Sequence, residues 1–394
     1  MGIRHGFGLW LQPICMERGW TRETYSFALA IQNLVWGLAG PFVGWWADKR
    51  GARTPLLAGA VLYALGLVGM SLSATPWLFT LSAGVTIGIA QACTTYAVVY
   101  GVIGRHIADP AKRSWAMGIT AAAGSFGQFL MVPLSSTLIA GMGWQQALWV
   151  LAGAALVIGP VAYGLRRDRP QAGVRAAAGT SAAALPTPPT PQGAIAALRE
   201  ALSHPGYQLL TAGYFVCGFQ LAFIGVHLPS YLKDHALSPQ VATTALALIG
   251  LFNIIGTYSV GWLGQKYSKP YLLASIYALR AVAMTVFIAL PPTPLTVGIF
   301  AAVMGALWLS TVPPTNAIVA QMLGVRHLSM LGALVFLSHQ LGSFVGVWLA
   351  GRLYDASGSY DIVWKLAIGL SVAAALLNLP IREHQAPRGR LVTP

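Results

Sequence analysis

Eleven apolar stretches of about 20 residues or more follow one another along this chain, at 24–47, 54–74, 77–104, 114–141, 145–166, 206–232, 240–263, 270–290, 294–322, 328–352 and 361–381. About 20 such residues in a helix cross the ~30 Å hydrocarbon core of a bilayer. The stretches are too long and too evenly apolar for barrel strands, which are short and alternate. Only 9% of the 394 residues are charged, against roughly a quarter in soluble domains. The reading is an all-α membrane protein of twelve transmembrane helices, the first being a shorter stretch over 1–15. At 1.5 Å per residue that stretch falls short of the core, so the first helix reads as truncated: either the true start lies upstream of Met1 or the span is incomplete.

The basic residues orient the helices. If the loop with Lys49, Arg50 and Arg53 is cytoplasmic, that side collects 17 Lys and Arg and the other side five: Arg18, Arg22, Lys233, Arg352 and Lys365. By the positive-inside rule this places both termini in the cytoplasm. The net charge of +14 then reports orientation and anionic headgroups. It is scattered over loops without a basic helix or binding motif, so nucleic acid is not an expected partner. Cys15, Cys93 and Cys217 lie in or beside spans at no metal-ligand spacing and read as small apolar residues.

Residues 167–205 are rich in Pro, Ala, Thr and Ser and read as a cytoplasmic linker with a short surface helix over 192–203. The expected organisation is a six-helix bundle over 1–166, the linker, a second bundle over 206–381 and a tail over 382–394. A shift of 217 aligns "ALAIQNLVWGLAGPFVGWWADKRG" (28–51) with "ALALIGLFNIIGTYSVGWLGQKYS" (245–268), and also pairs Gly88 with Gly305 and Thr94 with Thr311. One shift serving two spans and a loop points to a duplicated half, with the halves related by an axis along the membrane normal.

The motif "GWWADKRGART" resembles the loop 2–3 signature of the major facilitator superfamily on Gly44, Asp48, Lys49, Gly51 and Arg53. "GITAAAGSFGQFLMVPLSS" and "GRHIADPAKRSWAMG" resemble its oxalate/formate and monocarboxylate carrier branch. The resemblance implies that Asp48, with Lys49 and Arg53, acts as a conformational latch, meeting the partly positive N-terminus of a neighbouring helix. Gln265, at the matching place in the second half, keeps hydrogen-bonding capacity without charge and implies a weaker latch. One departure stands out: where the carrier branch has an Arg in span 8, "NIIGTY" puts Thr257.

All ten acids sit in loops, at span ends or in the tail. Cation and drug carriers of the superfamily commonly hold an acid in the cavity, and its absence here argues against those cargoes. Arg4 falls near the midplane, where a charge is costly and points to function, with pairing to backbone carbonyls or snorkelling as the alternative. Arg280 is similarly deep on span 9, peripheral by resemblance, and reads as structural. His5 and His339 are candidate proton carriers, and Gln340 adjoins His339. By resemblance spans 1, 4, 7 and 10 line the cavity, nominating Gln12, Gln91, Thr94, Thr95, Tyr96, Tyr214, Gln220, Trp308, Thr311 and Asn316, each open to a purely structural role. Pro313-Pro314 should bend span 10.

The expected function is secondary active transport by alternating access in the cytoplasmic (inner) membrane. The cargo is a small organic anion such as a monocarboxylate, moved by symport or antiport with a coupled proton or counter-substrate. Export of amphipathic drug-like compounds is the alternative. No nucleophile–base pair, metal cluster or paired carboxylates of an enzyme lie within the spans, so no enzymatic activity and no cofactor are expected. A monomer is the favoured state.

Overall fold

The computed structural model describes residues 2–94, 98–99, 102, 110–164, 194–264, 266–323 and 328–382. Every regular element among them is helical. Nine helical stretches are long and apolar enough to cross a membrane, and one of these, Ala123–Gly164, is 42 residues long. It divides at Gly143, where φ is +82° and ψ 165°, a conformation open to glycine at no steric cost. Spans 5 and 6 are therefore two helices joined by one residue. Span 2 (Arg22–Arg50) and the short segment Gly2–His5, Phe7–Trp10 and Leu11–Arg18, which is span 1, complete twelve.

Local chemistry sets the helix starts. Thr21 accepts from the Thr24 N–H at the head of span 2. Thr75 and Thr293 do the same for spans 4 and 10, each followed by Pro at the first helical position, and Thr293 with Thr296 closes a reciprocal capping box. Span 10 is two helices, Pro294–Leu307 and Val312–Leu323. Pro313 and Pro314 have no N–H and their rings clash with the preceding turn, so the helix opens over 308–311. A helix over Ala194–Ser203 lies where the sequence placed one; residues 165–193 lie outside the described set.

The buried apolar residues form two main clusters, one drawn almost wholly from 7–155 and the other from 201–381. Side chains such as Leu65, Val161, Val282 and Leu295 face outward, as lipid contact allows. The two halves repeat each other in local detail. A Cβ on Gly88 would meet the Gln32 carbonyl and the Val35 Cβ at 2.9 Å; one on Gly305 would meet the Ile249 carbonyl at 2.8 Å and the Phe252 Cβ at 2.9 Å. Gln32 and Ile249, and Val35 and Phe252, are related by the same shift of 217. Gly8 packs onto the carbonyl of Gly225, its own counterpart under that shift, so the halves touch near their axis of symmetry.

Among the described residues the halves are joined along span 1 on span 7 at Gly8, span 5 on span 8, and span 2 on span 11. Asn253 donates to Ser125 (2.9 Å), Gln128 to the Leu246 carbonyl (3.2 Å) and Thr243 to Ser136 (2.7 Å) along the second. Along the third, among the described residues, hydrogen bonds and ring contacts run from Arg22 down to Trp36 and Phe336, whose rings lie 5.4 Å apart. Beyond them a Cβ on Gly40 or Gly44 would meet nothing within 4 Å, and Phe42 is 75% exposed. Among the described residues the halves thus meet at the Arg22 end, and Gly40, Phe42 and Gly44 make no such contact toward the Arg50 end.

Candidate functional site

Arg4 lies half-buried in the first span, where its guanidinium donates from Nη2 to Asn33 Oδ1 and rests 4.6 Å from the Trp36 ring centroid. Asn33 and Trp36 share a face of span 2 because residues three apart on a helix are neighbours. No carboxylate lies within ion-pair distance of Arg4 among the described residues. His5 is half-buried next to Arg4. Gln91 is buried and donates to Gln32 Oε1 at 3.2 Å, but its own Oε1 and the buried Tyr63 hydroxyl make no hydrogen bond of ordinary geometry. Arg4, Gln91 and Tyr63 thus bring polar groups into the N-terminal half.

A chain of hydrogen bonds leads from Arg4 into the other half. The Asn33 carbonyl accepts from Gln340 Nε2 at 3.0 Å, and Gln340 Oε1 lies 3.0 Å from His339 Nδ1. Because the amide oxygen can only accept, His339 carries its proton on Nδ1 in this arrangement. Its ring stacks on Phe336 at 5.7 Å and lies 5.0 Å from Tyr214. The structure therefore links Arg4, through Asn33, to Gln340, His339 and Tyr214.

Arg280 has a different environment. It is fully buried, and its Nη2 donates to the carbonyls of Leu307 and Trp308, both at 2.6 Å. These are the groups that the break in span 10 deprives of helical partners. Nη1 reaches Gln220 Oε1 at 3.3 Å and Cys217 Sγ at 3.4 Å. Asn253 Oδ1 accepts the Leu309 N–H at 3.0 Å and the Thr257 hydroxyl at 3.2 Å. Gln220 spends its other end on the Ala367 carbonyl (3.0 Å), and Trp308 is buried beside the break. Thr311 is buried against Cys217 at 3.2 Å, Thr94 bonds back to the Ala90 carbonyl, and the exposed Asn316 to the Val312 carbonyl. Arg280, Asn253 and Gln220 thus tie neighbouring spans together, while these bonds of Thr94 and Asn316 stay within their own helices.

At the Arg22 end the halves are fastened by charge. Arg22 forms a bidentate pair with Asp234, both bonds 2.7 Å, while its guanidinium carbon lies 3.7 Å from the Tyr354 ring centroid. Asp355 accepts the backbone N–H groups of Arg22 at 3.2 Å and Glu23 at 2.7 Å, so a carboxylate of span 11 caps the positive end of span 2. Arg22 also donates to the Tyr360 hydroxyl, which lies 3.0 Å from His227 Nδ1; His227 Nε2 faces the Val347 carbonyl at 3.0 Å and Ser26 at 3.2 Å. Gln12 reaches Asp234 and the Ser230 carbonyl and belongs to this seam, away from Arg4.

Sequence reading passed over Asn33, Trp36 and Tyr63, although a Gln-Asn pair inside an apolar span is itself a signal. It also passed over the pairing of Arg22 with Asp234 and Asp355, whose separation along the chain no local pattern encodes. Of the candidate latch, Gly44 faces open space and Gly51 ends span 2 with φ +81°. Arg53 stacks 4.1 Å from the Tyr163 ring centroid. The side chains of Asp48 and Lys49, and all of Thr95, Tyr96 and Gln265, lie outside the described set.

The chain matches the family model of the Major Facilitator Superfamily over residues 4–321 and again over 210–393. It is 22% identical to YcxA, an uncharacterised MFS-type transporter of Bacillus subtilis (strain 168), over 97% of this chain and 92% of that one. It is 24% identical to monocarboxylate transporter 13 of Rattus norvegicus over 96% of this chain and 85% of the relative. To monocarboxylate transporter 12 of Xenopus laevis it is 22% identical, over 90% and 80%.

Proposed function

We propose that this chain, which belongs to the major facilitator superfamily of membrane transporters, carries a small organic anion such as a monocarboxylate across the cytoplasmic membrane by alternating access. The observation that carries the reading is Arg4: a half-buried guanidinium beside the middle of span 2, whose hydrogen-bond partner is the neutral oxygen of Asn33. Arg stays protonated even when desolvated, and an isolated charge at this depth costs several kcal/mol. A substrate carboxylate supplies the missing countercharge through two parallel hydrogen bonds. His339, joined to Asn33 through Gln340, is the candidate for the coupled proton. The names of the monocarboxylate transporter relatives agree with an anionic cargo.

The seams support a rocking motion. In this arrangement the Arg22 end is fastened and, on the proposed reading, the Arg50 end is apart; the 17-to-5 charge division makes the fastened end the outer one. Substrate bound at Arg4 is then exchanged with the cytoplasm. In the opposite arrangement the Arg22–Asp234 and Asp355 contacts release, and Asp48, Lys49 and Arg53 hold the cytoplasmic end closed. The test is uptake by proteoliposomes of a panel of labelled carboxylates and amphipathic cations, with and without a pH gradient. Carboxylate uptake that responds to the gradient supports the reading. Movement of the cations alone refutes it in favour of drug export.

A further inference from the structure

We infer that Asn33 is a resident stand-in for the substrate: its side-chain oxygen occupies the place on Arg4 that an incoming carboxylate takes, which makes Asn33 a specificity-determining residue. The inference rests on the anionic reading of the Arg4 site. The amide is held in one orientation from both sides. Its Nδ2 donates to the Leu29 carbonyl at 2.9 Å, and its Oδ1 accepts from Arg4, so a flipped amide would set an N–H against the guanidinium. Asn33 is buried while Arg4 stays half-open beside it. The backbone carbonyl of the same residue takes Gln340 from the other half, so what happens at Arg4 is registered at the seam between the halves.

The choice of Asn over its isosteres follows from strength. A half-buried cation left with no acceptor bears its desolvation cost uncompensated, so an empty site needs some oxygen there. A neutral amide oxygen satisfies that need but binds roughly half as strongly as a carboxylate, so an arriving anion wins the exchange. An Asp at this position would close a permanent internal ion pair and compete with the substrate. An apolar residue would leave Arg4 unpartnered between substrates yet take nothing from the bound state.

The test combines two readouts on full-length protein. In proteoliposomes, uptake of labelled acetate, pyruvate and benzoate is compared for wild type, Asn33→Ala, Asn33→Asp and Arg4→Gln. Thermal unfolding of the same proteins without ligand, together with Arg4→Gln/Asn33→Asp, reads the contact directly. Asn33→Asp is expected to weaken apparent affinity about tenfold or more, the difference between displacing an amide and a carboxylate, while Asn33→Ala is expected to tighten it several-fold, because the empty site then has no resident acceptor to give up. In unfolding, Asn33→Asp is expected to lower the melting temperature by several degrees more in the Arg4→Gln background than in wild type, because only there is the new carboxylate unpaired. An Asn33→Ala protein as impaired as Asn33→Asp would overturn displacement and leave Asn33 as a support for Arg4. Equal melting shifts in the two backgrounds would overturn the contact. Unchanged affinity in Arg4→Gln, or no carboxylate uptake by wild type, would instead sink the anionic reading on which the inference stands.

Discussion

Replacing Arg280 by Gln removes the only side-chain donors reaching the carbonyls of Leu307 and Trp308 among the described residues. Each buried, unpaired carbonyl costs about 1–3 kcal/mol, so Arg280→Gln should lower thermal stability markedly. Lys, with one point of attachment rather than a fork, should restore only part of it. Apparent affinity measured on the protein that folds should change little. The structural duty of Arg280 was legible in the sequence from its place on a peripheral span. Its partners were not, because the carbonyls it holds become free only once Pro313 and Pro314 open span 10. Arg4 was legible for the opposite reason: charge at mid-membrane is conspicuous. Asn33 was legible only as half of a polar pair with Gln32; its partner was not, since a neutral amide carries no sign of the guanidinium 29 positions away. At Asp48 the prediction is functional: Asp48→Asn should impair transport while leaving membrane insertion intact, and changing Gln265 should do less, having no charge to offer a helix terminus. Transport rates of both variants, normalised to inserted protein, decide it.

Between elements, glycines set how closely the spans approach. A Cβ on Gly342 of span 11 would lie 1.9 Å from the Phe215 carbonyl of span 7, backbone against backbone. Gly342→Ala must push the two helices apart and should abolish stable folding or cut the melting temperature by many degrees. Gly44 meets nothing within 4 Å, so Gly44→Val should fold with near-normal stability. If the cytoplasmic latch forms in the other arrangement, the same variant should slow transport; normal rates would show that no neighbour ever approaches this face. The helices themselves were legible, because run length and apolarity decide them and Pro and Thr mark their starts. The seams were not legible. Thr243 with Ser136 and Asn253 with Ser125 pair residues whose types suit lipid-buried contacts in general, without naming partners.

At the scale of the whole molecule, the reasoning that an acid should meet a helix N-terminus finds a described instance at Asp355 on span 2, at the end opposite Asp48. This pairing joins residues 333 positions apart, beyond the reach of any sequence pattern. Exposed pairs and helix-end charges contribute about 0.3–1 kcal/mol each, so Asp234→Asn with Asp355→Asn should shift the balance between the two arrangements several-fold without unfolding either half. Cysteines placed beside Tyr354 should label faster from outside in that variant; unchanged labelling would mean the apolar seams alone hold the outer end closed. On the proposed reading the two halves rock against each other, and Arg4 supplies the countercharge to an anionic cargo. The most direct test is uptake of a carboxylate by proteoliposomes containing wild type, Arg4→Lys or Arg4→Gln, each verified as inserted and folded. The account predicts that Arg4→Gln abolishes uptake while Arg4→Lys keeps a fraction of it, charge without the fork. Uptake by Arg4→Gln with unchanged affinity would contradict it.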